Sequence, residues 1–389
     1  MKGDVEILKL TSDTNISYEK IRESKKKLYE AINQGKRTPC TGCPWLRKDI
    51  WKPLDRLEIS HISIEHHTIC NLRCIYCSEI YYSGKETAYD IKLLFEELST
   101  NKAISKNLSI VWGGGEPVLL KTFDDVFSTI TDWYKFIYNN VFTNATIYSK
   151  TLEKYLRMNK ATITTSIDAG SVETYKAIRG RDKFHTVLEN LKKYHEAGGD
   201  NVTIKYILML ENISEQELSA FIRKIKEYGL EKCSFQISSN FKDETISDEI
   251  AKSAIFLSNQ LKKLGTTMIN FDDHLRPRFN AKKEFLIGQD NYHKGGVPNI
   301  VIWGAGEYAR RMLEESSFLK DKNVKFFVDS NSEKHGKLIN GFEIRPPKDI
   351  LAEPNISIFI ASTINYREIY NEITTMGIPV ENILDATVF

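Results

Sequence analysis

The chain has 389 residues, 41% of them hydrophobic and 11% aromatic, which is enough to bury a core and too long for one small domain. Its 54 basic and 52 acidic side chains nearly cancel, which argues against a general nucleic-acid binder. No apolar run reaches the length of a membrane span, and the opening MKGDVEILKL has no hydrophobic signal segment, so the expected setting is the cytoplasm, with no membrane partner.

In chain order, residues 17–35 (SYEKIRESKKKLYEAINQG) read as an amphipathic helix with Ser17 as N-cap and Gly35 as the stop. A CxxC follows at Cys40 and Cys43, and residues 1–56 form a helical extension. Then short β-like runs alternate with helical ones: 59–65 with a helix near 88–99, 108–112 with 121–135, and 137–143 with 150–158. The pattern continues through 161–167 with 184–197, 202–209 with 214–228, and 233–238 with 246–264. Six such units over 57–285 predict an α/β fold, a partial (β/α)6 TIM-like barrel two units short of the closed eight-fold one. Residues 286–298 have the glycine-rich, polar look of a linker, and 297–389 open a fresh β/α/β unit.

Behind the first predicted strand, HTICNLRCIYCSE places Cys70, Cys74 and Cys77 in a CxxxCxxC array. In a reducing compartment clustered cysteines are metal ligands or redox groups more often than disulfides. Three thiolates suit a [4Fe-4S] cluster with one iron left open, whereas structural zinc takes four ligands. A zinc site completed by His66 or His67 is the alternative.

The CxxxCxxC spacing, with Tyr76 just before the last cysteine, resembles the signature of the radical S-adenosylmethionine (SAM) enzymes. After the second strand VWGGGEP is similar to that family's GGE motif at Gly114, Gly115 and Glu116; FTNAT, with Asn144, is like its TN element; and TTSIDAGSVETYKAIRG is like its SxD segment, with Ser166 and Asp168. The resemblance covers roughly residues 57–240. It implies that the three cysteines hold three irons, that the amino and carboxylate groups of SAM chelate the fourth, and that one electron from a reductant such as flavodoxin or ferredoxin yields a 5′-deoxyadenosyl radical.

Each motif then has an expected part. Glycines at 114 and 115 let backbone approach a ligand, and Glu116 accepts from the SAM ammonium. Ser166 and Asp168, two apart on a strand, share a face and reach the ribose hydroxyls. By the resemblance the Tyr76 backbone lies near the adenine, and Asn144 and Arg179 are further SAM-site candidates. The structural alternatives are a tight turn for GGGE, ordinary strand-end polar residues for Ser166 and Asp168, and packing for Tyr76.

Two features depart from the simplest form of the family. Cys40 and Cys43 form either a second metal site, finished by Cys233 or a histidine, or a pair of plain thiols. Cys233 is expected on the sixth strand as a buried free cysteine, with hydrogen donation to a substrate radical as its functional alternative. In the C-terminal unit, NIVIWGAGEYARRML puts Gly304, Gly306 and Ala309 between a strand and a helix, and the next strand ends in Asp329. That is the pattern of a phosphate turn followed by a ribose-binding acid. The remainder resembles the small Rossmann-like domains attached to sugar-modifying acyltransferases and methyltransferases of surface-glycan pathways. This implies a bound nucleotide or nucleotide sugar, with a docking or dimerisation domain as the alternative.

The expected activity is hydrogen abstraction from a small-molecule substrate, a sugar or nucleotide-linked sugar. Modification of a peptide or protein is the alternative within enzymes, and a non-catalytic iron–sulfur redox sensor is the alternative outside them. An NAD-dependent enzyme resting on the C-terminal motif would leave the cysteine array unexplained.

Overall fold

The computed structural model describes residues 16–41, 56–272 apart from 79–81, 88, 135–136 and 244, residue 275, and 299–384 apart from 316–318, 320–322, 363–364 and 380–381. Cys43 and the linker expected at 286–298 lie outside the described residues.

The first helix is local chemistry. Helix α1 (Tyr18–Asn33) starts where the Ser17 side chain accepts the Lys20 N–H, and it ends before Gly35, whose φ of 68° a residue with a Cβ adopts less readily. Its Tyr18 is buried among Leu57, Leu98 and Ala103, and the Tyr18 N–H donates to Oε1 of Glu97 at 2.8 Å.

The main sheet carries seven strands in sequence order: β1 (Ile59–Ile64), β2 (Ile104–Trp112), β3 (Ile137–Phe142), β4 (Ala161–Ser166), β5 (Val202–Leu208), β6 (Ser234–Ser239) and β7 (Ile269–Phe271). Pairing is parallel from β1 through β4 and between β6 and β7. The connections are helical: α2 (Ile91–Thr100), α3 (Phe123–Trp133), α4 (Lys150–Arg157), α5 (Val172–Arg179), α6 (Phe184–Gly198), α7 (Glu215–Glu227) and α8 (Asp248–Lys263). This is the α/β arrangement of a partial TIM-like barrel, with one strand more than the six expected. The added β7 is three residues long, too short to show an alternating pattern.

Two compact units share these elements: one takes Met1–Ile167 with Tyr175–Thr203, the other Asp168–Thr174 with Ile204–Phe389. In the first, helix residues at helical spacing cover one face of β1–β4. Trp112 of β2 is buried with its ring 5.2 Å from that of Phe127 and 6.0 Å from that of Phe123, both on α3. Its Nε1–H donates to Oδ1 of the buried Asn139 at 3.0 Å, so the polar end of the indole is satisfied inside the core.

A second, five-stranded sheet lies in the C-terminal part, in the order β10 (Leu338–Ile339), β11 (Phe342–Arg345), β9 (Asn323–Val328), β8 (Asn299–Trp303), β12 (Ile356–Ile360). All of its pairs are parallel except β10 with β11. Alternation along β8 splits the core: Ile300 and Ile302 pack with Ala309 of α9 (Glu307–Glu315), while Val301 and Trp303 pack with Ile369 and Ile373 of α10 (Tyr366–Thr375). Helices on both faces explain why β12 is buried at every position.

Candidate active site

The three cysteines follow β1 in a loop that is pinned from two sides. The Cys77 N–H bonds the Cys74 carbonyl at 3.0 Å, closing a turn between two of them. The last residues of α5 accept from the loop: Arg73 N–H to the Arg179 carbonyl at 3.2 Å and Ile75 N–H to the Ile178 carbonyl at 3.0 Å. Arg73 also caps the Cys70 and Leu72 carbonyls, at 3.0 and 2.8 Å. Arg179 bonds the Tyr76 hydroxyl and lies over its ring. Tyr76 is buried, so its ring and hydroxyl serve this packing.

Cys70, Cys74 and Cys77 are each half-buried with no disulfide. Burial pushes the Cys70 thiol up, the Leu72 N–H and Arg179 pull it down, and Glu116 and Cys74 add to the rise. Among the described residues no three His, Cys, Asp or Glu side chains are gathered as a single metal ion would need. Three thiols without a disulfide in one short loop, with a hydrogen-bond donor aimed at one of them, are the ligand type that a [4Fe-4S] cluster takes.

That donor is Asn144, just beyond β3. Its Nδ2 approaches Sγ of Cys70 at 3.9 Å and Oδ1 of Asn71 at 2.8 Å. Its Oδ1 accepts from Thr146, at 3.0 Å from the N–H and 2.7 Å from the hydroxyl. Its own N–H donates to Oε2 of Glu116 at 2.5 Å. Glu116, buried beyond β2, also accepts from the Thr143 hydroxyl at 2.7 Å and the Val118 N–H at 3.4 Å. Burial pushes its carboxyl up to about 7 despite these three bonds.

The glycines before Glu116 let two backbones touch. Gly114 has φ 93°, and a Cβ there would meet the His67 carbonyl at 2.7 Å; a Cβ on Gly115 would lie 2.2 Å from the Ile69 carbonyl oxygen. The cradle is closed by the loop that carries the cysteines: the Gly115 and Glu116 N–H groups bond the His67 and Ile69 carbonyls at 3.1 and 2.7 Å. Sequence reasoning singled out Glu116 and Asn144 but missed Thr143 and Asn71, whose side chains have partners far along the chain, and Arg73, whose N–H bonds the distant Arg179 carbonyl while its side chain caps its own loop. The only signal was position: Thr143 stood inside the quoted FTNAT, and Asn71 and Arg73 inside HTICNLRCIYCSE.

In the second unit Asp168 differs from expectation. Strand β4 stops at the half-buried Ser166, and Asp168 lies past it with φ 60°, so the two are not a same-face pair on a strand. Asp168 is buried; its Oδ1 accepts the Ile207 N–H at 2.8 Å, and its carbonyl accepts from Nδ2 of Asn212 at 3.0 Å. Burial pushes its carboxyl up to about 7, opposed by that N–H and by Lys205. The following turn is held by Glu217, whose Oε1 accepts the N–H groups of Gly170 at 2.6 Å and Ser171 at 3.0 Å. Ser214–Glu217 reads as a capping box, yet the carboxylate is spent on this turn. Cys233 is buried one residue before β6 rather than on it.

In the C-terminal sheet the glycine turn is present but internally bonded. Gly304 has φ 106°, and a Cβ there would meet the Ala361 carbonyl at 2.9 Å, while Gly306 faces open space. Asp329 is less free for a ribose than expected: Oδ2 accepts the Ala305 N–H at 2.9 Å and pairs with Nζ of Lys334 at 2.7 Å, and Oδ1 accepts the Asn331 N–H at 2.9 Å. Those partners hold its carboxyl below the usual range against the opposing effect of burial. A cavity of about 480 Å³ opens beside it at the ends of β8 and β12, lined by residues that include Gly304, Gly306, Asp329 and Ala361. Cys40 is a half-buried free thiol.

Comparison with known proteins places these features. Residues 64–225 match the Radical SAM superfamily, and residues 297–384 match the family described as C2185-like, N-terminal. A GTP 3′,8-cyclase of Photorhabdus laumondii is 26% identical over 203 residues, 49% of this chain and 60% of that protein. One from Yersinia pestis is 28% identical over 159 residues, 41% and 48% of the two chains. The chain thus spans between about half and 60% of the length of these relatives. Among solved structures, Streptococcus suis SuiB bound to the precursor peptide SuiA matches with TM-score 0.47 and 14% identity over 71% of this chain and 60% of that one. The cysteine loop, the buried Glu116 and the Asn144 bridge all fall within the matched stretch: residues 64–225 are a radical SAM domain.

Proposed function

We propose that the chain is a radical SAM enzyme of the cytoplasm that abstracts hydrogen from a sugar or nucleotide-linked sugar, with a flavodoxin- or ferredoxin-type protein as electron donor. One observation carries the reading: through Asn144 the Cys70 thiol and the Glu116 carboxylate belong to a single hydrogen-bonded network. Cys70, Cys74 and Cys77 would hold a [4Fe-4S] cluster, which when bound with SAM supplies the electron that splits the sulfonium and releases the hydrogen-abstracting 5′-deoxyadenosyl radical.

The chain's own residues position and polarise. Gly114 and Gly115 bring the Glu116 turn against the cysteine loop. Glu116, with one lone pair left on Oε2, would accept from the SAM ammonium there, and a cation at that place would draw its carboxyl back down so that it meets SAM ionised. Asn144 donates to the Cys70 sulfur and so favours its thiolate. Ser166, half-buried at the end of β4, would offer a hydroxyl to the ribose, while Asp168 ties the segment after β4 to β5 through the Ile207 N–H. The sugar assignment draws support from the relatives named as GTP 3′,8-cyclases, whose name specifies a ribonucleotide. It also draws support from the C-terminal sheet, where the strand order turns back at β8 beside the cavity, as in Rossmann-like nucleotide-binding domains.

The test is 5′-deoxyadenosine formation by the anaerobically reconstituted, reduced chain with SAM and a panel of nucleotide sugars, beside Cys74→Ala. Cysteine-dependent cleavage that rises with one sugar class is the expected result. Cleavage indifferent to every sugar but stimulated by peptides would overturn the substrate assignment, and no cleavage by a protein with its full iron content would overturn the enzyme.

A further inference from the structure

Parallel sheets are normally covered on both faces and read as apolar on both. Strands β1–β4 break that rule on one face only. Ile64, Leu108, Ile110, Val141 and Ile163 are buried on the covered face. The other face is polar and partly open, and the register lines its residues up in rows. His61 lies opposite Ser109 and then Tyr138; Ser63 opposite Val111, then Asn140, then Thr162; Phe142 opposite Thr164.

Two aromatic rings stand on this polar face. Tyr138 and Phe142 are 43% and 41% exposed among the described residues. They are four residues apart on one strand, about 13 Å at roughly 3.3 Å per residue. Asn140 lies between them, its Oδ1 accepting from the Thr162 and Thr164 hydroxyls at 3.2 and 3.1 Å. That arrangement leaves the Nδ2 donors of Asn140 without a partner among the described residues. Rings left open on a sheet that buries Trp112 on its other side are not core residues short of space.

The chemistry of the face selects its occupant. No lysine or arginine stands at these positions, so it is not a phosphate surface; hydroxyls, one amide, one histidine and the Glu65 carboxylate at the strand end suit a neutral ligand rich in hydroxyl groups. A pyranose or furanose ring has an apolar C–H face for an aromatic platform and an edge of hydroxyls for such partners. Phe142 is the aromatic nearest the strand ends, two residues before Asn144 and one strand over from the Gly114–Glu116 turn. We infer that the sugar ring of the substrate lies on this face with Phe142 as its stacking platform and Asn140 reading a hydroxyl, its phosphate groups being held elsewhere. The inference rests on the sugar reading of the function and names the residues that give it specificity.

Calorimetric titration of the reconstituted full chain with UDP-glucose, and separately with UDP, tests it in wild type, Phe142→Ala, Phe142→Tyr and Asn140→Ala. Affinity for UDP-glucose should fall about tenfold in Phe142→Ala, recover in Phe142→Tyr, and fall in Asn140→Ala, while affinity for UDP stays equal in all four. Iron content and far-UV circular dichroism should match wild type in each variant. A wild type that binds UDP-glucose, together with a Phe142→Ala variant that binds it as well, overturns this inference and leaves the proposed function standing. A wild type that binds neither UDP-glucose, UDP-N-acetylglucosamine nor glucose overturns both.

Discussion

Nδ2 of Asn144 lies 3.9 Å from Sγ of Cys70, although 74 positions separate them in the chain. The same side chain bonds the half-buried Asn71 and the buried Thr146, so Asn144→Ala removes one sulfur contact and strands both partners. A loss of about 1–3 kcal/mol in unfolding free energy is expected. Because hydrogen bonds to cluster sulfurs tune potential, a more negative cluster midpoint should accompany it. Urea unfolding and a redox titration followed by electron paramagnetic resonance measure the two; an unchanged midpoint at full iron content would remove Asn144 from the cluster's surroundings.

The Glu116 carboxyl, raised to about 7 in the fold against an ordinary 4.5, gives a pH dependence of known sign. Between those values the folded chain holds a proton that the unfolded chain has released, so this contribution is full below about 4.5 and is lost as pH rises through 7. The size is on the order of 3 kcal/mol. His66 works in the opposite direction, since burial, with His67 beside it, lowers its value to about 4. The measurement is therefore a difference: unfolding free energy of wild type minus Glu116→Gln, without SAM, across pH 4.5–7.5. The difference should fall toward high pH, and a flat line would show that the carboxyl is not buried as described.

Close backbone contacts make their own forecast. A Cβ at Gly115 would sit 2.2 Å from the Ile69 carbonyl oxygen, and one at Gly170 2.2 Å from the Glu217 oxygen and 2.3 Å from the Phe221 nitrogen, while Gly306 meets nothing within 4 Å. Gly115→Ala and Gly170→Ala should each cost about 2–5 kcal/mol or prevent folding, because backbone on both sides must move. Gly306→Ala should stay within about 0.5 kcal/mol. Melting temperatures of the three variants decide, and equal values would refute the contacts.

What could be read from the sequence was whatever is local. Ser17 and Gly35 bound α1 because a cap and a left-handed residue act within one turn. The cysteine array and GGE turn were legible for the same reason: spacing along the chain is itself the geometry. Helix α5 was hidden inside SVETYKAIRG, only eight residues long and read as motif. Asp168 defeated the two-residue rule for strands because its conformation is set by Ile207, 39 positions away, and no pattern within a strand records such a partner.

That relationship yields the last expectation. Asp168 is buried and takes the Ile207 N–H at 2.8 Å, so Asp168→Ala leaves a buried donor unpaired and should cost about 2–3 kcal/mol. Asp168→Asn keeps an acceptor of the same size and tolerates the φ of 60°; it should cost less than about 1 kcal/mol. If Asp168 is a positioning residue, the Asn variant should also keep SAM affinity within a few-fold of wild type, read by equilibrium dialysis with the reconstituted chain. A large loss of SAM binding in Asp168→Asn at wild-type stability would instead put the carboxylate in contact with the ribose and overturn the positioning role.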